Sequence, residues 1–411
     1  MARTSSKTFL GACIAATLCV LAGTAGAKAL KGDWPMVNFD ARGLRNNPYE
    51  TILTKDSVKS LQPVWELDDI NRVDGNQQSS PVVASGVLYV VASDGSLYAR
   101  DARTGQSLWT VKPSTSGWFG YYPPSPAVVN GIVYYSYTTG SKLPHGELRA
   151  LDAATGKTLW VASIKYPVVG SPIVANGRVL QGDSLPDNSI YAFDARSGAQ
   201  LWKSDAFPWG AGDFGNVAVA NGVVYSAAWD FLVAHDAKTG KTLWHQYARA
   251  GGGQTTPASA VAVQNGKVYF DNQGLISTFD ARTGTLIWQS QHDIYIVGYG
   301  AFAVEKGNAR NAESGIRMFD TSGVFFNFNK RTGRITAFQE YQPGVGVSPT
   351  IANGVLYVGS PEDIDAYDTD TGALLWSSPL PKMFTQAPTV VANGMLYVLA
   401  GGSLYAYGLK N

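Results

Sequence analysis

A tryptophan-ended repeat restricts the fold of this chain more than any other feature. The closing aromatic residue recurs at intervals of 38 to 51 residues, and phenylalanine replaces tryptophan once. The eight positions are Trp65, Trp109, Trp160, Trp202, Trp244, Trp288, Phe338 and Trp376. Four short apolar runs at this spacing cannot bury both faces of their own sheet, so neighbouring units must stack. The period predicts an all-β fold, an eight-bladed β-propeller of four-stranded antiparallel blades.

The clearest copy of the repeat is Ser80–Trp109. Its predicted strands are Pro81–Ala84, Val87–Val91, Leu97–Arg100 and a short run ending on Leu108-Trp109. Asn-Gly takes the place of Ser85-Gly86 at the first turn of most later copies, and this pair is the strongest short hairpin signal. Asp-x-x-Thr/Ser-Gly precedes most of the closing tryptophans, and we interpret its aspartates as turn caps rather than catalytic carboxylates.

The two ends of the chain predict how the ring closes. After Trp376 the sequence supplies three strands, around Thr389–Val391, Met395–Leu399 and Ser403–Tyr407. Before the first full repeat it supplies one orphan strand, Pro63–Leu67. Pairing that N-terminal strand with the last three would complete the eighth blade and remove exposed sheet edges. The alternative is that Trp65 belongs to an irregular arm.

The first 29 residues differ from the rest of the chain. Arg3 and Lys7 precede an apolar run, and Ala27 and Ala29 end two small-residue cleavage patterns. This arrangement predicts a signal peptide cleaved after Ala27 or Ala29 and a secreted or periplasmic protein. A lipoprotein box around Cys13 is the alternative, although it lies at the start of the apolar run. We expect an N-terminal arm over residues 30–61, with one or two helical turns in 55–61, and one propeller over residues 62–411.

Composition limits the chemistry and the partners. Both cysteines, Cys13 and Cys19, fall in the signal segment, so the propeller has no disulfide, thiolate metal site or cysteine nucleophile. Removing the cations Arg3, Lys7 and Lys28 from a formal charge of +1 leaves −2. A near-neutral chain without a basic run gives no support for nucleic acid or an anionic membrane as partner. No second apolar run is long enough for a membrane span, and we expect a monomer.

Candidate ligand-binding residues are the aromatic and polar side chains of the predicted loops, because loops on a rigid scaffold commonly carry function. They are Trp118, Tyr121, Tyr122, Trp209, Asp213, Trp229, Asp230, Gln254, Asn272 and Tyr295. Packing between blades is the alternative for the aromatic residues, and Asp230 shares the turn position of Asp94. His292 and Asp293 form the best acid/base pair on offer, provided that they lie in a loop. No histidine spacing predicts a metal site, and His145 falls in a predicted insertion over 139–146.

The sixth unit departs from the pattern. Its first hairpin lengthens to Glu305–Gly315, and Phe338 stands where the other units have tryptophan. A polar, glycine-containing insertion of this kind marks either a contact surface or a tolerated loop elongation.

The arm carries a pattern that resembles a known family. Trp34-Pro35, Asp40, Arg45-x-Asn47-Pro48, Val58, Leu61-x-Pro63-x-Trp65 and the Ala-x-Asp-x-x-Thr-Gly-x-x-x-Trp repeat are similar to the pyrroloquinoline quinone (PQQ) dehydrogenases. The arm is most similar to their polyvinyl-alcohol-dehydrogenase-like branch. The resemblance covers essentially the whole chain after the signal segment and implies the eight-bladed fold. Non-enzymatic propellers, such as the outer-membrane assembly propeller, share the same repeat.

The catalytic motifs of that family do not carry over. Alcohol-oxidising relatives stack the quinone under adjacent cysteines and bind calcium through a Glu, an Asn and an Asp on long insertions. The haem-attachment motif Cys-x-x-Cys-His of the polymer-oxidising branch is also absent here. Two hypotheses follow from the sequence. The first is a non-catalytic module that binds a protein, glycan or small ligand at the channel mouth, without an assigned cofactor. The second is a PQQ- and calcium-dependent alcohol dehydrogenase-like oxidoreductase, or another small-molecule enzyme.

Overall fold

The computed structural model describes residues 31–68, 79–113, 124–140, 143–184, 186–206, 217–228, 231–247, 260–272, 275–290, 302–305, 315–319, 324–340, 349–359, 363–380, 389–400 and 402–410. These ranges contain one 3₁₀ helix, Ser57–Ser60, and 33 strands. The strands before and within the first three blades are β1 (Asn46–Asn47), β2 (Leu61–Leu67), β3 (Val82–Ala84), β4 (Val87–Val91), β5 (Leu97–Asp101), β6 (Ser107–Val111), β7 (Ala127–Val129), β8 (Ile132–Thr139), β9 (His145–Asp152), β10 (Thr158–Ile164), β11 (Val168–Ala175), β12 (Arg178–Asp183), β13 (Ile190–Asp194) and β14 (Gln200–Lys203).

The remaining strands continue the same order. They are β15 (Ala218–Ala220), β16 (Val223–Ala228), β17 (Phe231–Asp236), β18 (Thr242–Tyr247), β19 (Val261–Gln264), β20 (Lys267–Asn272), β21 (Leu275–Asp280), β22 (Leu286–Gln289), β23 (Ala303–Val304), β24 (Ile316–Phe319), β25 (Val324–Phe328), β26 (Ile335–Glu340), β27 (Thr350–Ala352), β28 (Val355–Gly359), β29 (Asp363–Asp368), β30 (Leu374–Pro379), β31 (Val390–Ala392), β32 (Met395–Ala400) and β33 (Ser403–Leu409).

Eight antiparallel blades follow one another along the chain, as the repeat predicts. Blades 1 to 7 are β3–β6, β7–β10, β11–β14, β15–β18, β19–β22, β23–β26 and β27–β30. Blade 7 gains β1, which lies parallel to β27. We name the four strands of each blade A to D, from the channel outwards.

The eighth blade closes the ring with both ends of the chain. Its order is β31, β32, β33 and then β2, so the N-terminal strand supplies strand D. Trp65 pairs with Ala406, and Leu61 pairs with Leu409. The predicted closure is therefore confirmed, and Trp65 does not belong to an irregular arm. The amphipathic stretch before it forms a single 3₁₀ turn.

The A–B hairpins follow from their Asn-Gly pairs. Asn130 and Gly131 have φ values of 53° and 75°, and the other Asn-Gly turns repeat this pair of left-handed residues. Asparagine and glycine tolerate such φ values best, which explains their recurrence at this turn. The predicted insertion over 139–146 lies at the B–C turn of blade 2, where His145 begins β9 opposite Thr139.

Each C–D turn is tied to the A–B turn of its own blade, which defines two faces of the propeller. The Ala102 amide donates to the Gly86 carbonyl (2.9 Å), and the same bond recurs in blades 2 to 5 and 7. The A–B and C–D turns therefore lie together on one side, the turn face. The B–C turns and the connections between blades lead to the other side, the loop face.

The closing tryptophans clasp neighbouring blades together. In blade 4 the Trp244 Nε1–H donates to the Ala281 carbonyl of the next blade (3.3 Å), and the Tyr225 hydroxyl donates to the same oxygen (2.9 Å). The indole also covers Gly284, where an added Cβ would lie 2.7 Å from the ring. Equivalent indole bonds are made by Trp65, Trp109, Trp160, Trp202 and Trp288. The repeated tryptophan is thus explained by a polar clasp as well as by packing.

The junction between blades 6 and 7 uses a different clasp. Arg317 occupies the strand-B position that Tyr269 holds in blade 5, since Ala303 pairs with Arg317 as Ala262 pairs with Tyr269. Its Nη2 donates to the Thr369 carbonyl (2.8 Å) and to Glu305 Oε2 (3.1 Å), and both side chains are buried. Phenylalanine at position 338 has no N–H to offer, and the guanidinium provides a donor for the corresponding carbonyl of the next blade.

Candidate ligand site in the central channel

The N-terminal arm runs around the inside of the channel and hydrogen-bonds one inner strand after another. Backbone bonds of 2.6 to 3.0 Å join arm carbonyls to the amides of strand A in six blades. The pairs, arm residue first, are Trp34 with Val83, Pro35 with Val128, Ala41 with Val219, Arg42 with Val263, Leu44 with Val304 and Arg45 with Ile351. Asn47 Nδ2 donates to the Val391 carbonyl of blade 8 (2.9 Å). The arm therefore satisfies backbone groups at the inner edges of blades 1, 2 and 4 to 8.

Between Pro35 and Ala41 the arm forms a loop, Met36–Asp40, that we call the plug loop. Met36 and Val37 pack into the hydrophobic cluster of blades 2 to 4, beside Ile173 and Val174 of blade 3. From there the plug loop reaches across the channel, because the Arg45 amide at blade 7 donates to the Asn38 carbonyl (3.1 Å). Blades 3 and 7 lie opposite each other in an eight-bladed ring, so the plug loop crosses the channel.

The Arg45 side chain adds further contacts between the plug loop and blade 7. Its Nε donates to the Pro349 carbonyl (2.9 Å) and its Nη2 to Thr350 Oγ1 (3.0 Å), both on blade 7. Its Nη1 donates to Asn38 Oδ1 (3.1 Å) and lies 3.5 Å from the Val37 carbonyl. The side chain is 1% exposed, and burial lowers the pKa of Arg45 to about 9, so the guanidinium stays protonated at neutral pH. The base of the channel thus holds a buried positive charge.

These contacts place the arm on the turn-face side of the inner strands. In five of the six blades whose strand-A amides it binds, the arm contacts the residue two positions before the A–B turn, as Val83 precedes Ser85. We call the plug loop at this level the floor of the channel.

A row of serines lines the inner strands above the floor. The Ser80 amide donates to Ser125 Oγ (2.8 Å), and the Ser125 amide donates to Ser171 Oγ (2.9 Å). Each serine precedes a proline, and the row links blades 1, 2 and 3 on the loop-face side of the arm. Among the described residues, the Ser80 hydroxyl, the first of the row, is buried without a hydrogen-bond partner.

An acid cluster lies at the loop-face end of blade 3. Asp183, which is fully buried, accepts bonds from the Ser189 amide (2.6 Å) and the Tyr191 hydroxyl (3.0 Å). Burial raises the pKa of Asp183 to about 6, against the opposing effect of those bonds. Lys203 pairs with Asp187 and lies 5.3 Å from the centre of the Tyr191 ring. The cluster fixes the B–C turn of this blade, because Asp183 holds both sides of it.

The sequence-predicted site residues are not tested by the structure. Trp118, Tyr121, Tyr122, Trp209, Asp213, Trp229, Asp230, Gln254, His292, Asp293 and Tyr295 lie outside the described residues. Asn272 ends β20 on the loop-face side, where its backbone pairs with Leu275. Their roles stay predictions. Of the described histidines, His235 is buried in β17, and desolvation lowers its pKa to about 4.

Sequence reasoning did not select Arg45, Asn38 or Asp183 as site residues. Arg45 belongs to the arm pattern that carries the family resemblance, and that was its one signal. Asn38 and Asp183 have no repeated counterpart that would mark them. Within the described ranges, no group of three or more His, Cys, Asp or Glu side chains is placed to hold a metal ion. No helix among the same residues is long and apolar enough to cross a membrane.

The fold and the arm define a PQQ-repeat type of propeller, and comparison with known proteins identifies the family. The PQQ_2 family model, described as outer membrane protein assembly factor BamB, matches residues 62–182, 141–206, 186–298 and 321–411. The chain belongs to this family.

Individual relatives include both enzymes and assembly factors. The chain is 31% identical over 162 residues, 38% of its length, to a 1-butanol dehydrogenase (cytochrome c) of Thauera butanivorans, and the match spans 23% of that protein. The quinohemoprotein alcohol dehydrogenase of Comamonas testosteroni has a TM-score of 0.73 at 17% identity, over 92% of this chain and 80% of that one. BamB of Moraxella catarrhalis has a TM-score of 0.61 at 17% identity, over 85% and 99%. The two structural likenesses show the fold alone.

The residues of the channel can be compared with the cofactor that the family implies. PQQ is an anionic quinone, and a protonated guanidinium at the channel base suits such a ligand. Arg45 would act on it through its field, because its N–H groups are engaged in the plug loop. A calcium or lanthanide ion requires several oxygen ligands. The described residues do not gather such a set.

Proposed function

We propose that the central channel is a one-ended cup for an anionic quinone of the PQQ class, and that the protein is an oxidoreductase acting on small alcohols. The observation that carries this proposal is the plug loop, which spans the ring between blades 3 and 7 beside the buried Arg45 cation and, in this proposal, closes the channel on the turn-face side. Its support beyond geometry is the similarity to an alcohol dehydrogenase (quinone) subunit of Gluconobacter oxydans, 32% identical over 37% of this chain, and to the quinoprotein alcohol dehydrogenase PedH of Pseudomonas putida, 30% identical over 34% of this chain. Since the matches to individual relatives span 21–30% of those proteins, the activity is a proposal for this chain.

The roles of the chain's own residues follow from their positions. Arg45 favours the anionic form of a ligand in the cup, and its hydrogen bonds to Val37 and Asn38 hold the floor rigid. The plug loop excludes water from the turn-face side. PQQ supplies the two-electron acceptor chemistry when it is bound. The loop residues Trp118, Trp209, Trp229 and Tyr295 are proposed to form the aromatic wall at the mouth.

A melting scan of the purified protein with PQQ tests this function. A ligand that binds the folded form alone at about 100 times its Kd stabilises it by about 2.7 kcal/mol, so the Tm should rise with PQQ concentration. The Arg45→Lys variant is the matched control. It keeps the positive charge but loses the forked hydrogen bonds that hold the plug loop, so it separates the effect of the charge on PQQ binding from the effect of those contacts. Dye reduction by alcohols should then depend on added PQQ. An unchanged Tm at saturating PQQ, with calcium or a lanthanide present, would remove the quinoprotein proposal.

A second candidate function is a non-catalytic binding module of the periplasm. Two observations favour it: the family model is described as an assembly factor, and the propeller contains no cysteine. In this case the cup and its aromatic mouth bind a protein segment, a glycan or a small ligand without turnover. The melting scan separates the two candidates, since this one predicts no response to PQQ.

The charged, apolar and small-residue order of the first 29 residues supports export as a proposal for both candidates. Mass spectrometry of the protein recovered from a periplasmic extract should find an N-terminus at residue 28 or 30. Recovery of the intact N-terminus from the cytoplasm would contradict export.

A further inference from the structure

The turn face carries an uneven distribution of charge that the net charge of the chain conceals. Among the described residues at the A–B and C–D turns of blades 3 to 6, nine cationic side chains accompany four carboxylates. The cations are Arg178, Arg196, Lys238, Lys241, Lys267, Arg282, Lys330, Arg331 and Arg334, and the carboxylates are Asp194, Asp236, Asp280 and Glu305, the last of which is paired with Arg317. We call this set the basic crescent.

The carboxylates of the crescent are engaged in their own turns. Asp236 Oδ1 accepts bonds from the amides of Lys238 and Thr239 and from the Thr239 hydroxyl, at 2.7 to 3.1 Å. Asp194 and Asp280 repeat this arrangement. Blade 6 has Asn329 at the same position, which accepts the equivalent bonds without a charge. The C–D turn of blade 6 therefore combines three cations, Lys330, Arg331 and Arg334, with an uncharged cap.

The other blades are balanced on this face. Arg103 in blade 1 and Lys157 in blade 2 each share a turn with one aspartate, Asp101 and Asp152. In blade 7, Lys55 of the arm bridges Asp368 and Asp370, at 2.7 Å to each. Among the described turns of blades 1 to 7, the positive excess is thus found in blades 3 to 6.

Geometry makes the crescent flat. Its residues occupy equivalent positions of a circular repeat, so their turns lie at about the same height around the ring, and each C–D turn is bonded to its A–B turn. Arg196, Lys238, Lys241, Arg282, Arg331 and Arg334 are exposed. Just beyond the turns, strand D exposes Leu201, Leu243 and Leu286 by 46%, 52% and 50%.

Neighbouring cations within the crescent already oppose one another. Lys330 is the half-buried member, and it donates to Gln264 Oε1 (3.1 Å) and to the Glu305 carbonyl. Burial lowers the pKa of Lys330, and the nearby Lys267 lowers it further, although Glu305 opposes the change. A surface of like charges that is held in place by the fold gains free energy when it meets an anionic partner.

We propose that the basic crescent docks the turn face onto a bilayer surface that contains anionic lipids. A flat array of lysines and arginines matches a flat layer of phosphates, and the exposed leucines at its margin can enter the headgroup region. Such docking directs the loop face and the mouth of the cup away from the membrane. The inference does not depend on the ligand of the cup.

Cosedimentation with vesicles tests the docking. The purified protein should bind vesicles of phosphatidylcholine with about 30 mol% phosphatidylglycerol and not those of phosphatidylcholine alone, and binding should fall as salt rises from about 0.05 to 0.5 M. The quadruple variant Lys238→Gln, Lys241→Gln, Arg282→Gln, Arg334→Gln removes exposed cations of the crescent. It should lower the partition coefficient at least about tenfold, since each basic residue near an anionic surface contributes severalfold.

The matched control neutralises exposed cations outside the crescent, as Lys59→Gln, Arg103→Gln, Lys112→Gln, Lys157→Gln. This control should bind anionic vesicles like the unchanged protein, and both variants should keep its Tm. An equal loss of vesicle binding in the two quadruple variants would show that binding depends on the net charge of the protein and not on the basic crescent. This result would overturn the proposal. Absence of vesicle binding would overturn it as well, and salt-sensitive binding of poly-glutamate in its place would assign the crescent to an acidic polypeptide.

Discussion

The turn face and the loop face are built by different rules. On the turn face, most blades repeat the same Asn-Gly hairpin, aspartate cap and tryptophan clasp, and the arm ties inner strands together. On the loop-face side, the Asp183 cluster belongs to blade 3 and is not part of the repeat. The repeated contacts indicate that the turn face specifies the ring, and we propose that the loop-face side carries the ligand site. The predictions below test this division.

The largest loss of stability is expected at the junction between blades 6 and 7, where Arg317 replaces the tryptophan clasp. Arg317→Met leaves the buried Glu305 carboxylate without its ion pair and the Thr369 carbonyl without its donor. Breaking a buried pair from one side typically costs about 3–5 kcal/mol. The free energy of unfolding from denaturant titration measures this loss. The double variant Glu305→Gln, Arg317→Met leaves no buried charge and should recover much of it; a double variant as unstable as Arg317→Met would show that the ion pair is not the clasp.

A smaller effect is expected at the glycine beneath each indole. Gly284 has φ of +73°, and a Cβ would lie 2.7 Å from Trp244, so Gly284→Ala adds a steric clash to backbone strain, about 2–4 kcal/mol in all. Gly266→Ala in the same blade is the matched control. Its φ is +72°, but a Cβ there meets nothing within 4 Å, so strain alone should cost about 1–2 kcal/mol. An equal loss of unfolding free energy in the two variants would show that the packing of the indole over Gly284 does not contribute to the clasp.

The shared carbonyl predicts non-additive losses. Trp244→Phe and Tyr225→Phe each leave one donor on the Ala281 carbonyl, so each hydrogen bond should cost about 1 kcal/mol. The double variant leaves this carbonyl without either donor, so its loss should exceed the sum of the two single losses. A double-mutant cycle on unfolding free energies gives the coupling. Strict additivity would mean that the two donors do not substitute for each other.

The smallest expected effect is on the pH dependence of stability, which should differ between Asp183 on the loop-face side and Asp280 on the turn face. The pKa of Asp183 is about 6 in the folded protein because of burial, above the usual value of 3.8, so the native state binds this proton more tightly than the unfolded state. Its contribution to stability is present below about pH 4 and is lost as the pH rises through 6. Relative to Asp183→Asn, the Tm of the unchanged protein should therefore fall between pH 4 and 6.5 and then stay level.

Asp280 of the turn face is the control for this pH dependence. Hydrogen bonds from Thr283 lower the pKa of Asp280, so its contribution is present above the ordinary aspartate pKa and lost as the pH falls. Asp280→Asn should accordingly show a Tm difference of the opposite slope. The same slope for both variants would contradict the distinction between the faces.

The sequence predicted the repeated parts of the fold because each has its own local chemistry. Asn-Gly pairs locate the hairpins, and the tryptophans locate strand D, so β4 was predicted to the residue. The clasp by Arg317 could not be predicted from the repeat, because the arginine stands at the position of a strand-B tyrosine and not at the position of the closing tryptophan. The orphan hydroxyl of Tyr357 has a related cause: it faces blade 8, where the two chain ends replace the C–D turn that would accept its proton.

The floor of the channel and the basic crescent could not be predicted from local patterns. The arm binds through backbone groups, so residues such as Ala41 and Leu44 carry no signal of their course. The cations of the crescent are distributed over successive repeats and form no continuous basic segment in the sequence. Net charge is a property of the whole chain, whereas docking depends on how the fold distributes that charge.

Hydrogen–deuterium exchange of the protein with and without PQQ tests the central claim most directly, because it reports where the ligand acts. If the channel is a one-ended cup floored by the arm, PQQ should slow exchange in the plug loop, Met36–Asp40, and at Ile351, while the turn-face tips around Gly240 and Gly284 keep their rates. Unchanged exchange in the plug loop, or slowing confined to the outer strands, would contradict the cup as the site of this protein's function.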